Sequence, residues 1–276
     1  MLHMHCDQVV WGDSPRPPSL TCVNYHRAKK ENNANNSKQG HTTCPIFLSF
    51  STLHQLEASM SGQAAIVQYV VRPPGKQPFL VIICCGPITE FAYPANPSSS
   101  AIVNASNPRC LVGGGVDGAI STAGGPTLLY DRQILPFRIM SGKEVRCLPG
   151  NAVITGPNNY GRLQVPYVIH AVGPNYSNCK GREDKGDAYL VKAYAAAMKR
   201  AKEKRLQAVA FSLLSMGAFR GGNRTVEQIA AIALKAVAAN TYDGLREIYY
   251  CAFNDDEYYT LIEVAYTLGM RRVAQA

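Results

Sequence analysis

Two stretches of the chain set glycines beside polar side chains in patterns that ligand chemistry uses. In the first, Asn104 and Asn107 are followed by Gly113, Gly114, Gly115, Val116 and Asp117. Three successive glycines let the backbone take positive φ and let a ligand come close to the main chain. If a helix starts there, its free N–H groups favour an anion, phosphate above all. Each asparagine offers both a donor and an acceptor to sugar hydroxyls. Asp117 adds a carboxylate that can orient or activate a water. In the second stretch, Ser215, Met216, Gly217, Ala218 and Phe219 lead into Gly221 and Gly222. One such loop is as readily a tight turn. Two of them, each leaving a strand, suggest a shared diphosphate, with Phe219 as an apolar wall for a sugar. Taken singly, the residues keep simpler readings: the asparagines as turn formers, Asp117 as a favourable charge at a helix start, Met216 as a gap filler, Phe253 as core.

The elements that must position these loops are legible from hydrophobic periodicity. Strands are expected at residues 64–71, 79–85, 101–104, 152–155, 167–172, 208–214 and 247–253. Helices are expected at 116–123, 187–204, 225–239 and 255–268. Thr225 and Gln228 have the spacing of a capping box. His170 lies inside an apolar strand and reads as a satisfied core histidine. Strands alternate with helices through the second half, which argues an α/β sheet covered on both faces and largely parallel there. In such sheets ligands bind beyond the carboxyl ends of the strands, where both glycine loops fall. Neither loop has the Gly-Lys-Ser/Thr of a P-loop, and no GxGxxG with an acidic residue about 20 positions on appears after the first strand.

Residues 1–60 differ in kind. The polar, asparagine-rich stretch at 27–40 is too poor in apolar side chains to offset the entropy of ordering, so residues 1–60 read as a poorly ordered extension and 61–272 as the folded domain. Five of the six histidines and three cysteines fall within residues 1–54, but their spacing matches no zinc pattern. No metal is expected. All but one unit of the net charge of +9 lies beyond residue 60, and it is spread out. Such a surplus points to an anionic partner; nucleic acid is the weaker candidate, because the longest basic cluster ends a helix, where it serves the helix dipole. Nine cysteines without a CxxC pair, and an N-terminus without an apolar signal core, suggest a reducing compartment, cytoplasm or nucleus. The longest apolar run, Phe79–Cys85, is too short to span a bilayer.

Five motifs occur in order: Ile-Val-Asn-Ala-Ser-Asn at 102–107, Gly-Gly-Gly-Val-Asp-Gly-Ala-Ile at 113–120, Leu-Pro-Gly-Asn-Ala-Val-Ile-Thr at 148–155, Tyr-Val-Ile-His-Ala-Val-Gly-Pro at 167–174 and Ser-Leu-Leu-Ser-Met-Gly-Ala-Phe at 212–219. Together they resemble the macrodomain family, and within it the branch that removes ADP-ribose. The resemblance covers about residues 62–270. It implies a three-layer α/β/α fold with a central mixed sheet and a cleft for ADP-ribose or an ADP-ribosylated protein. It further implies that Gly113–Val116 and Ser215–Phe219 hold the diphosphate from two sides, that Asn104 and Asn107 lie near the distal ribose with Asp117 beside them, and that Phe253 stacks on adenine. No cofactor and no membrane are implied.

The sequence departs from the family pattern twice. Where relatives carry Gly-Asp-Ile-Thr, with the aspartate holding the adenine amino group, this chain has Pro87 before Ile88. Proline has neither a carboxylate nor an N–H, so adenine would rest on groups such as the backbone near Ile88, Phe253 or Glu90. Where many hydrolases of the branch carry histidine after the glycines, this chain has Ser121. The reading is therefore hydrolysis at the distal ribose, of mono-ADP-ribosylated protein or O-acetyl-ADP-ribose, with Asn107 positioning the sugar and Asp117 handling the water. A reader module that binds without turnover stands as its rival.

Overall fold

The computed structural model describes residues 66–274; the expectation for the N-terminal extension, including its histidines and cysteines, lies outside these residues. The described residues form ten strands: β1 (Ile66–Val71), β2 (Phe79–Cys85), β3 (Ser100–Ala105), β4 (Arg138–Met140), β5 (Lys143–Val145), β6 (Asn151–Thr155), β7 (Tyr167–Val172), β8 (Ala208–Phe211), β9 (Glu247–Ala252) and β10 (Arg271–Arg272). The helices are α1 (Gly115–Gln133), α2 (Glu183–Glu203), α3 (Val226–Ala239) and α4 (Asp255–Thr267).

Eight strands form one sheet in the order β10-β1-β2-β9-β8-β3-β7-β6. The centre, from β2 through β9, β8 and β3 to β7, is parallel. The margins β10, β1 and β6 pair antiparallel. Both faces are dry, as a parallel centre requires. Ala101, Val103, Val209, Phe211, Ile248 and Tyr250 face a core shared with α2, α3 and α4. The alternate residues Ile102, Val168, Ala208 and Ala210 face a second core with α1 and the 160–165 segment. The period of two along each strand thus assigns the helices to two layers, giving the α/β/α order with a mixed sheet.

Several boundaries differ from the periodicity for physical reasons. The run expected as a strand to residue 214 leaves the sheet after Phe211. Leu213 and Leu214 remain buried, and the Leu214 N–H donates to the Tyr194 hydroxyl instead of to a strand. Periodicity alone does not separate a buried strand from a buried turn. The helix expected at 116–123 continues to Gln133, but with a break: Gly125 has φ +63°, and Pro126 opens a second helical segment. The carbonyl of Ala123, freed by the break, accepts from the Arg162 N–H. The hairpin of β4 and β5 was not visible as alternation. The capping box is present, with Thr225 Oγ1 accepting from Gln228 N–H and Gln228 Oε1 from Thr225 N–H.

Candidate functional site

The carboxyl ends of β3 and β8 carry the two glycine loops, and between them lies a cleft of about 330 Å3. Its walls include Asn107, Gly113, Gly114, Gly115, Val116 and Asp117 on one side, and Ser215, Met216, Gly217, Ala218 and Phe219 on the other. Of the candidate residues, Ile88, Asn104 and Phe253 are not among those lining it. Ile88 is buried in the core that contains α1, and Phe253 is 84% exposed just past β9. Asn104 is completely buried and stands behind Asp117.

The first loop is shaped around Asp117. Gly114 caps α1, Gly115 has φ +59°, and Asp117 occupies the first turn. The N–H groups of a first turn have no intrahelical partner, and Gly115, Val116 and Asp117, which supply them here, line the cleft. A Cβ on Gly113 would stand 2.7 Å from Asp117 Oδ2 and 3.1 Å from Asn107 Nδ2. The missing side chain is therefore what lets these two polar groups converge. Asn107 also ties its own turn, accepting from Arg109 N–H at 3.0 Å and donating to the Leu111 carbonyl at 3.1 Å. Its turn-forming role and its place in the cleft coexist.

Asp117 is only 2% exposed. Its Oδ1 accepts from Asn104 Nδ2 and from Arg132 Nη2, the latter at 2.8 Å. Its Oδ2 is buried and has no hydrogen-bond partner among the described residues. Arg132, fully buried, also donates through Nε to the Cys110 carbonyl, through Nη2 to the Leu111 carbonyl at 2.9 Å and through Nη1 to Ser121 Oγ at 2.7 Å. It thereby fixes the chain before the glycines and the carboxylate after them. Ser121 in turn donates to the Asp117 carbonyl at 2.7 Å. Sequence reasoning missed Arg132, which lies nine residues beyond the helix expected at 116–123 and meets its partners only through the tertiary fold.

Behind Asn104 the polar chain continues. Asn104 Nδ2 lies 3.2 Å from His170 Nδ1, and His170 Nε2 lies 3.1 Å from Thr155 Oγ1. An amide donor at Nδ1 leaves the proton on Nε2. Complete burial, and Arg132 nearby, push the His170 pKa well down, so the ring is neutral. His170 is a core histidine that orients Asn104.

The second loop is held by its own clamp. Ser215 has φ +58°, and its Oγ donates to the Pro174 carbonyl at 2.7 Å. A Cβ on Gly173 would overlap that hydroxyl. The Phe219 carbonyl accepts from Tyr176 N–H at 2.8 Å. The Tyr176 hydroxyl donates to Asp187 Oδ1 at 2.8 Å, and Asp187 receives Arg224 in a bidentate pair at 2.9 and 2.7 Å. Met216 both lines the cleft and belongs to the core.

Among the described residues no group of three or more histidine, cysteine or acidic side chains could hold a metal ion, and no helix is long and apolar enough to cross a membrane.

The chain is similar to known proteins in sequence and in fold. The Macro domain family model matches residues 103–230. A macro domain-containing protein of Caldanaerobacter subterraneus subsp. tengcongensis is 39% identical over 160 residues, which are 57% of this chain and 83% of the relative. O-acetyl-ADP-ribose deacetylase 1 of Pantoea vagans is 38% identical over 167 residues, 60% of this chain and 91% of the relative. Among solved structures, the Oceanobacillus iheyensis macrodomain with ADP superposes with a TM-score of 0.60 at 27% identity, covering 75% of this chain and 97% of its own. The Trypanosoma brucei macrodomain in complex with ADP-ribose does so with a TM-score of 0.52 at 28% identity, covering 66% and 68%.

Proposed function

The chain belongs to the macrodomain family, and on that footing we propose that it binds ADP-ribose in the cleft and hydrolyses an acyl ester at the distal ribose. The substrate class is O-acyl-ADP-ribose, either O-acetyl-ADP-ribose or mono-ADP-ribose esterified to an acidic protein side chain. The observation that carries the reading is Asp117 Oδ2, a buried carboxylate oxygen at the cleft that lacks a partner among the described residues while its twin oxygen is held by two donors. A buried acceptor of this kind is costly unless something donates to it. A water between Asp117 and the distal ribose would do so.

In this mechanism the diphosphate lies between the two loops, against the first N–H groups of α1. Asn107 positions the ribose, and Phe219 covers its apolar face. Asp117 Oδ2 accepts a hydrogen bond from the water and aims its lone pair at the ester carbonyl carbon; the new C–O bond forms, the bond from that carbon to the ribose oxygen breaks, and the proton given up by the water passes by way of the carboxylate to the departing ribose oxygen. Water is consumed, and the products are ADP-ribose and a carboxylic acid. Because Oδ1 is fixed, the carboxylate needs no reorientation during the reaction, which is the condition for effective preorganisation.

A reader without turnover is the second reading. It is favoured by Ser121, whose hydroxyl is spent on Arg132 and the Asp117 carbonyl and is thus committed away from the cleft.

Titration of the protein with ADP-ribose, with AMP and ATP as controls, tests binding; no saturation at millimolar ADP-ribose removes both readings. Turnover of O-acetyl-ADP-ribose separates them. Asp117→Ala is expected to lower turnover by a factor of about 100 or more while ADP-ribose is still bound. Undiminished turnover in that variant would falsify the role given to Asp117, and binding by the unaltered protein without any turnover selects the reader.

A further inference from the structure

A second groove, of about 700 Å3, adjoins the cleft and shares Gly173 and Phe219 with it. Its direction follows from the strand order. Ile88 and Phe253 follow β2 and β9; the glycine loops follow β8 and β3; the groove is bounded by Val172 and Asn151, at the same edge of β7 and β6. Along this edge the groove therefore lies past Asn107 and Asp117, on the side away from Ile88.

The chemistry of the groove differs from that of the cleft. Leu148, 44% exposed, and Pro149 give it an apolar rim. Its floor is Tyr189, packed so closely on Gly150 that a Cβ there would stand 2.9 Å from the ring. Lys192 is the one charged side chain among the lining residues, with its Nζ over the Tyr189 ring at 5.8 Å from the centroid. Lys185 and Lys199, both exposed, stand seven residues either side of Lys192 on α2 and so share its face. No carboxylate lines the groove.

We propose that this groove receives the polypeptide that carries the ADP-ribosyl group, as an extended segment with acidic side chains flanking the modified residue. The inference rests on the function proposed above, because it takes the distal ribose to lie at Asn107 and Asp117. A group attached to that sugar then leaves the cleft past Phe219 and Gly173, directly into a groove whose open shape, apolar rim and single-sign charge match an acidic chain.

The test compares free ADP-ribose with ADP-ribose joined through its distal ribose, by a non-hydrolysable oxime, to a ten-residue peptide rich in aspartate and glutamate. A lysine-rich peptide conjugate is the control. The acidic conjugate is expected to bind roughly threefold to tenfold more tightly than free ADP-ribose, the range of one or two exposed ion pairs. Lys192→Glu, and separately Lys185→Glu with Lys199→Glu, should reduce that preference and leave the affinity for free ADP-ribose unchanged. Equal binding of the acidic and basic conjugates, or a preference that survives both variants, overturns the groove while the free ADP-ribose titration still reports on the cleft. Failure of free ADP-ribose to bind instead overturns the proposed function, and the groove assignment with it.

Discussion

Asp117 accepts at one oxygen from Asn104 and Arg132 and leaves the other without a partner among the described residues. Burying the Asp117–Arg132 pair costs several kcal/mol of desolvation, and the cost is met only because Arg132 also satisfies two carbonyls and a hydroxyl. Removing one partner strands the other. Arg132→Met should therefore lower stability by about 3–5 kcal/mol, read as a shift in the urea unfolding midpoint. A loss below about 1 kcal/mol would mean that Asn104 alone suffices to hold the carboxylate. Asp117 and Asn107 could be picked out from sequence because each has chemistry of its own beside a glycine run. Arg132 could not, since its partners are brought to it by tertiary structure.

The elements show where periodicity succeeds and where it runs out. α2, α3, α4 and the central strands have one buried face or two, so their apolar residues recur at fixed steps, and their ranges were legible to within a few residues. The segment after Phe211 is apolar yet belongs to a loop, where the Leu214 N–H finds the Tyr194 hydroxyl, a partner that no local pattern reveals. That loop is clamped to the start of α2 through Tyr176, Asp187 and Arg224. The Asp187–Arg224 pair is partly solvated, with side chains 33% and 18% exposed, so its loss should cost only about 1 kcal/mol of stability. Its effect on the cleft should be larger. Asp187→Ala is expected to weaken ADP-ribose binding about tenfold, as the loop loses its preorganised position; calorimetric titration beside a thermal melt separates the two effects. Unchanged affinity would show that Ser215 and its bond to Pro174 hold the loop unaided.

Across the whole molecule the +9 charge and the cleft are separate matters. No lysine or arginine is among the residues lining the cleft, so a diphosphate there meets backbone N–H groups and the helix start. Binding through fixed dipoles at close range is screened far less by salt than binding through many exposed cations. The affinity for ADP-ribose should change by less than about threefold between 0.05 and 0.5 M salt, against the drop of about ten-thousandfold or more that a nucleic-acid site with six or more phosphate contacts would give. A steep salt dependence for ADP-ribose would place the ligand on the basic surface instead. The layer order was legible in the sequence because strands and helices alternate. The shortest strands were less so, since β4, β5 and β10 have two or three residues each, too few for any alternation to register.

The break in α1 sets a rule for the length of the chain. Asp117 and Arg132 are fifteen positions apart, and in an unbroken helix they would stand about 22 Å from one another. They touch because Gly125 and Pro126 fold the second segment back. Adding or deleting one residue after the break would turn Arg132 by about 100° away from the carboxylate. Insertions, which surface loops ordinarily absorb, have no room here: the interval from 117 to 132 works as a fixed ruler, and variants of this domain can lengthen elsewhere before they lengthen there.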